Sequence, residues 1–453
     1  MNKLNLFILL SLIFNSISAQ ETSYISVSEA KEDINFMIKT IESVHYDAYF
    51  KTDSIDFISF KDSILNEWPE DSVSVKKFML AGMQLSALMS GGHTALDWRN
   101  RVLFPEIKAF EYLPFTGKLD KTGKFVITRT ASKEVNTEME VTHINDVPVK
   151  DLYLESMTCV GGIYAFQNAY CEPIFPLYLF FTERVTAPYR LTLNNGMQLT
   201  LSKGLTIKEF QKFANQNTVE EKYTFEILDD HIGYLAYNQC ADLKAFDRFL
   251  EKTFSTIQKK GVDKLIIDIR ENGGGNSELN DHLLNYVTRK PYQQAYGRYW
   301  KVSREVQDKI RNEKLWEGFL DQEFFNRYLN SPDQSVIKEF DEEMMKPDSN
   351  ELYFNGTTCL LIGPKTFSSA NYLADAVKTY ALFTVIGTPT GEYTNDFGEQ
   401  ITFKLPNSGS YLFISSTYDI GANKNFEMMS PVHPDILVED DVKAFAIEWI
   451  LKQ

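Results

Sequence analysis

Apolar residues recur at helical spacing over about residues 28–89, first as Ile34, Met37, Ile38 and Ile41, then as Phe78, Met79, Met83, Leu85 and Leu88. Side chains three and four apart share one helix face, so the pattern predicts two or three amphipathic helices, with Pro69 at a break and Gly91-Gly92 as the closing turn. The period then shortens. Between about 104 and 201, alternating runs such as Lys124-Phe125-Val126-Ile127-Thr128 and Glu140-Val141-Thr142-His143-Ile144-Asn145 predict strands, the second entering the turn Asn145-Asp146-Val147-Pro148. From about 223 onward, strand and helix signals alternate: Ile232-Gly233-Tyr234-Leu235-Ala236-Tyr237 as a strand, 243–260 as an amphipathic helix, and Lys264-Leu265-Ile266-Ile267-Asp268-Ile269 as a strand buried on both faces. The next strand is Thr358-Cys359-Leu360-Leu361-Ile362, and the polar, aromatic, charged stretch 292–355 before it reads as a mostly helical insertion. The expected fold class is α/β: a helical N-terminal region (20–103), a β-rich middle domain (104–222) and an α/β domain (223–453).

The length agrees with several domains, since 453 residues exceed the roughly 250–300 at which a single core stops growing. Lys3, the apolar run from Leu6 to Phe14 and the small-residue stretch Ser16-Ile17-Ser18-Ala19 have the anatomy of a signal peptide over residues 1–19. The expected location is therefore outside the cytoplasm, periplasmic or extracellular. The apolar run falls short of the roughly 20 residues that span a bilayer, and no Cys follows it to carry a lipid. A formal charge of −16 argues against a nucleic-acid or anionic-membrane partner, because such binding depends on clustered Lys and Arg. Cys159, Cys171, Cys240 and Cys359 lack metal-site spacing; Cys159 with Cys171 is the best disulfide pair, and four buried thiols fit equally well. No metal or organic cofactor is implied.

Three segments carry possible chemistry, two of them at the ends of predicted buried strands, where open α/β sheets bind ligands. Arg270-Glu271-Asn272-Gly273-Gly274-Gly275-Asn276 follows one such strand, and its glycines let backbone N–H groups approach a developing negative charge. A phosphate loop is disfavoured, because the Lys-Ser/Thr ending is missing. Lys365-Thr366-Phe367-Ser368-Ser369-Ala370-Asn371 lies between a strand and a helix, where a serine can present its hydroxyl to a cleft as a nucleophile, although on this segment alone the common N-cap is the favoured reading. Ser90-Gly91-Gly92-His93-Thr94 supplies the one histidine of six that sits beside paired glycines, and a serine nucleophile needs such a base.

The order Gly92-His93-Thr94, Ile144-Asn145-Asp146-Val147-Pro148, Ile267-Asp268-Ile269-Arg270-Glu271-Asn272-Gly273-Gly274-Gly275 and Thr366-Phe367-Ser368-Ser369-Ala370 resembles the tail-specific (C-terminal-processing) and tricorn-type serine proteases. Gly387-Thr388-Pro389-Thr390-Gly391 and the stretch from Phe403 to Gly409 are similar too, so the resemblance spans nearly the whole chain. It implies a crotonase-like (ClpP-like) catalytic domain, a PDZ-like middle domain and a helical region capping the cleft. It also implies Ser368 as nucleophile, with N–H groups of Ser369 and one of Gly273, Gly274 or Gly275 as the oxyanion hole. The family has a Ser-Lys and a Ser-His-acid branch. The lysine expected beyond Pro389 is absent, since Thr390, Gly391, Glu392 and Tyr393 follow, whereas His93 matches the tricorn-type base. For the third residue Glu427 fits best by position and Glu399 next.

The sequence departs from an ordinary PDZ module in lacking an evident Gly-rich carboxylate loop, and Asn371 stands where an acid often follows the Ser-Ala pair. Lys365, three residues before Ser368, is an alternative base. The resulting expectation is an exported serine endopeptidase acting on peptide or unfolded protein. A peptide- or glycan-binding protein without turnover, and an esterase using the same machinery, are the alternatives.

Overall fold

The computed structural model describes residues 23–453 apart from 70, 90, 216–220, 229–230, 317–319 and 428. The expected signal peptide and Ser90 lie outside the described residues. Among those described, no helix is long and apolar enough to cross a membrane.

The part that positions the site is a six-stranded sheet in the order Tyr223–Ile227, Ile232–Tyr237, Lys264–Asp268, Thr357–Ile362, Thr384–Gly387 and Ile436–Leu437. The first pair is antiparallel and the rest are parallel. The apolar run of Lys264–Asp268 explains its central place: Leu265, Ile266 and Ile267 are fully buried, with one hydrophobic core on each face of the sheet. Successive side chains point to opposite faces, so a strand covered on both sides must be apolar throughout. Helix Leu243–Lys260 covers one face through Phe246, Leu250, Phe254 and Ile257 and ends at Gly261, whose φ of +66° suits a residue without Cβ.

A second, antiparallel sheet runs in the order Val336–Phe340, Ala295–Lys301, Tyr411–Gly421 and Asp396–Lys404. Two of these strands come from the stretch expected to be mostly helical, beside helices Arg304–Glu313 and Gln322–Asn330. The aromatic-rich run at 295–301 favours a strand, but its partner Tyr411–Gly421 lies far along the chain, so its pairing is a tertiary event. The short strand Ala95–Leu96 pairs with Phe413 and Leu412 of the same sheet. This ties the end of the N-terminal helical region to the sheet.

The middle segment has two small sheets and the helices Val149–Met157, Tyr164–Thr182 and Ile207–Asn215, so it carries more helix than its alternating pattern predicts. Helix Tyr164–Thr182 contains Pro173 and Pro176, which local propensity reads as breaks, yet it buries Phe175, Leu177, Leu179, Phe180 and Phe181. Packing overrides propensity there. Cys159, Cys171, Cys240 and Cys359 are unpaired thiols.

Candidate active site

Three loops meet beyond the carboxyl ends of the parallel strands. Asn272, fully buried, organises the first: its Nδ2 donates to Tyr237 O at 2.9 Å and its Oδ1 accepts from Gly274 N at 2.9 Å. Its carbonyl accepts from Phe367 N at 3.1 Å, joining the glycine loop to the serine turn. Thr366 pins that turn from below, with Oγ1 donating to Ile269 O at 2.9 Å and accepting from Gly363 N at 3.1 Å. The third loop arrives when Gly391 N donates to Thr366 O at 3.1 Å, an approach so close that a Cβ on Gly391 would lie 2.1 Å from Pro364 O.

Ser368 precedes helix Ser369–Thr379 with φ 55° and ψ −128°, a strained positive-φ conformation that a non-glycine residue adopts at a cost of about 1–3 kcal/mol. The turn lifts its side chain off the helix path instead of using it as a side-chain cap. Gly274, at φ +93°, allows this: a Cβ there would sit 2.6 Å from Ser368 Cβ and 2.8 Å from Phe367 O. The N–H of Ser369 opens the helix and so has no intrahelical acceptor, while its hydroxyl donates to Gly275 O at 2.7 Å.

His93 stands across from this turn. It is held through its own carbonyl, which accepts from Gln400 Nε2 at 2.7 Å, and through Thr94, whose Oγ1 accepts from Ser415 N at 3.1 Å. Its ring packs against Phe367, centroids 4.7 Å apart, and Phe367 stacks at 4.5 Å on Phe166 of the middle segment. Gly92 leaves room for that stack, since a Cβ would come 2.7 Å from Phe367 Cζ.

The carboxylate facing His93 is Glu392, 4% exposed, with Oε1 3.2 Å from Nδ1. The contact is a close charge pairing and not an aligned hydrogen bond, which leaves buried Nδ1 without another partner. The other oxygen, Oε2, accepts the backbone N–H of Ser368. Burial pushes the His93 pKa down, but Glu392, with the charges of Asp396 and Asp419 behind it, outweighs burial and raises it above its ordinary value. Asp396, pressed against Gly91, is itself held well above the usual carboxylate range by burial and by Glu392.

Ser368 and Ser369 of the serine turn therefore lie against Gly274 and Gly275 of the glycine loop, with His93 facing them. Ser368 Oγ and His93 form no direct hydrogen bond in this structure; Phe367 and Glu392 link them. Of the expected oxyanion donors, Gly274 has its N–H committed to Asn272, which leaves Ser369, Gly273 and Gly275. Glu427 is exposed, and Glu399 ion-pairs with Arg298 at 2.6 Å, so neither carboxylate occupies the place beside His93. Lys365 pairs with Glu271 at 3.0 Å. Sequence reasoning missed Glu392, Asn272 and Phe166. Glu392 had a signal, since it stands in the stretch where the expected lysine is missing.

A strained serine at a strand-to-helix turn, opposed by a histidine that bears on a buried carboxylate, is a set of groups that serine hydrolases also use. Residues 231–438, the part that carries the glycine loop and the serine turn, match the model of Peptidase family S41, and this part of the chain reads as a serine-type peptidase. Among solved structures, a crystal structure of a CPAF mutant superposes with a TM-score of 0.67 at 13% identity, covering 94% of this chain and 96% of that one. Mature CPAF complexed with lactacystin gives 0.62 at 14% identity, covering 94% and 97%. Identities this low speak to the fold. No curated protein matches the chain in sequence.

Proposed function

We propose that the protein is an exported serine endopeptidase that hydrolyses peptide bonds with Ser368 as nucleophile, His93 as general base and Glu392 as the orienting acid. The observation that carries this reading is the double contact of Glu392, one oxygen on His93 and the other on the Ser368 N–H. Glu392 at Nδ1 leaves Nε2 as the nitrogen for Ser368. The hydroxyl proton passes to Nε2 as Oγ attacks the scissile carbonyl, and the oxyanion is met by the N–H of Ser369 and one from Gly273 or Gly275. Each such donor lowers the barrier by about 2.7–4 kcal/mol in comparable sites. His93 returns the proton to the leaving amine, the acyl-enzyme remains, and a water deprotonated by His93 releases the product acid. The Ser368–His93 hydrogen bond that this step needs is of the kind that catalytic sites often form only in the complex with substrate.

The parallel sheet with its loops fits a crotonase-like catalytic domain, and the strands around Ile144 fit a PDZ-like module. Export rests on the residues 1–19 pattern and places the enzyme in the periplasm or outside the cell. The test is labelling of the purified protein with a fluorophosphonate, mapped by peptide mass. Adduct at Ser368 that requires His93 and Glu392 supports the reading; labelling independent of His93 would overturn it in favour of another base such as Lys365.

A further inference from the structure

Behind His93, four charged side chains cross the antiparallel sheet in register. Arg298 lies opposite both Glu339 and Asp419, and Asp419 lies opposite Asp396. Paired positions share a face, so these groups form one row. Arg298 Nη1 pairs with Glu399 Oε1 at 2.6 Å and its Nε lies 3.4 Å from Asp419 Oδ1. That oxygen has no hydrogen bond, so Arg298 is its compensation in a side chain 2% exposed. The other oxygen of Asp419 accepts the hydroxyl of Tyr372. Gly398 makes space for this carboxylate, since a Cβ would lie 2.5 Å from Oδ2.

Tyr372 sits one turn into the helix that Ser368 precedes, and its N–H donates to Ser368 O at 3.1 Å. Burial and Asp419 push its pKa well up, so it remains a neutral donor. The chain of contacts runs from Arg298, on a strand of the 292–355 insertion, through Asp419 and Tyr372 to the nucleophile. A second consequence is electrostatic. His93 is faced by Glu392 from the third loop, by Asp396 from the Asp396–Lys404 strand and by Asp419 from the Tyr411–Gly421 strand. Beyond them stand Arg298, Glu399 and Tyr372.

We propose that Arg298 is a positioning residue: by holding Asp419 under Tyr372 it locks the Ser368 helix to the sheet that bears His93, and it offsets one of the negative charges that act on His93. The inference rests on the triad reading above and makes the insertion part of the active site.

The test is the pH dependence of kcat/KM and of fluorophosphonate labelling for Arg298→Met, Arg298→Lys, Asp419→Asn and Tyr372→Phe, each with a thermal melt. Arg298→Met removes a positive charge, so the acidic limb moves to higher pH by about half a unit or more; Asp419→Asn removes a negative one and moves it lower. Tyr372→Phe lowers kcat about tenfold with KM nearly unchanged and the limb in place, and Arg298→Lys restores most of the Met defect. Limbs that coincide with wild type in Arg298→Met and Asp419→Asn, with activity lost in step with folded protein, would overturn the proposal. If wild type shows no His93-dependent limb, or His93→Ala is active, the triad reading has failed instead.

Discussion

Glu392 Oε1 lies 3.2 Å from His93 Nδ1 while the same carboxylate accepts the backbone N–H of Ser368. One buried side chain thus fixes the imidazole and the strained turn of the nucleophile together. Glu392→Gln keeps the shape and removes the charge. By analogy with neutralised triad acids, kcat is expected to fall by up to about 10⁴-fold. Glu427→Gln, at an exposed carboxylate, leaves kcat/KM within about twofold. Steady-state kinetics on the two variants decide between these carboxylates.

Ser368→Ala and His93→Ala are each expected to reduce turnover by at least about 10⁴-fold and to abolish labelling while the protein remains folded. A large residual rate in His93→Ala would show that another group serves as base.

The pH dependence follows from the raised pKa of His93. The base must be neutral, so kcat/KM rises with pH through a limb above the ordinary value near 6.5. Stability runs the other way. A folded-state pKa above the unfolded one means the His93–Glu392 pairing stabilises fully below about pH 6.5 and fades as pH rises through the folded value. Glu392→Gln lowers the limb, which a kinetic pH profile reads directly.

His45 has the opposite sign. It is fully buried, its Nδ1 accepts from Asp47 N at 3.1 Å, and its ring packs 4.5 Å from Phe397. Burial lowers its pKa to about 3. The fold must keep it neutral, so stability is present above the unfolded value near 6.5 and lost as pH falls toward 3, by roughly 3 kcal/mol at pH 4. Denaturant melts of His45→Gln should show a shallower loss between pH 6.5 and 4 than wild type.

Gly274→Ala forces a side chain into φ +93° and places its Cβ 2.6 Å from Ser368 Cβ. The expected result is a loss of roughly 1–3 kcal/mol in stability and a fall in labelling rate of about 100-fold or more, because the serine turn must shift. Gly261→Ala is also at positive φ, but with nothing within 4 Å of its Cβ, so it destabilises by a comparable or smaller amount and leaves labelling intact.

Much of the α/β layer was legible because local chemistry dictates it. An unbroken run such as Leu265-Ile266-Ile267 has no stable place except a strand covered on both faces, and the glycines at 273–275 and the serine at 368 fall at strand ends where the periodicity stops. His93 stood out because paired glycines flank it.

Other features depended on distant partners. Glu392 looks like any loop carboxylate until Gly391 passes against Pro364 O and brings it between His93 and Ser368, whereas Glu427 and Glu399 had better positions along the chain and point elsewhere. The helix Tyr164–Thr182 formed because core burial outweighs the propensity of its two prolines, and the strand Ala295–Lys301, which its aromatic run favours, depends on a partner far along the chain. The sequence by itself marked the buried parallel strands and the glycine turns, since each follows from interactions within a few residues, and it singled out Ser368 and His93 as candidates. The tertiary structure alone decided which carboxylate stands beside His93 and which charges surround it, because electrostatic partnership depends on distance in space and burial, and neither is written in sequence separation.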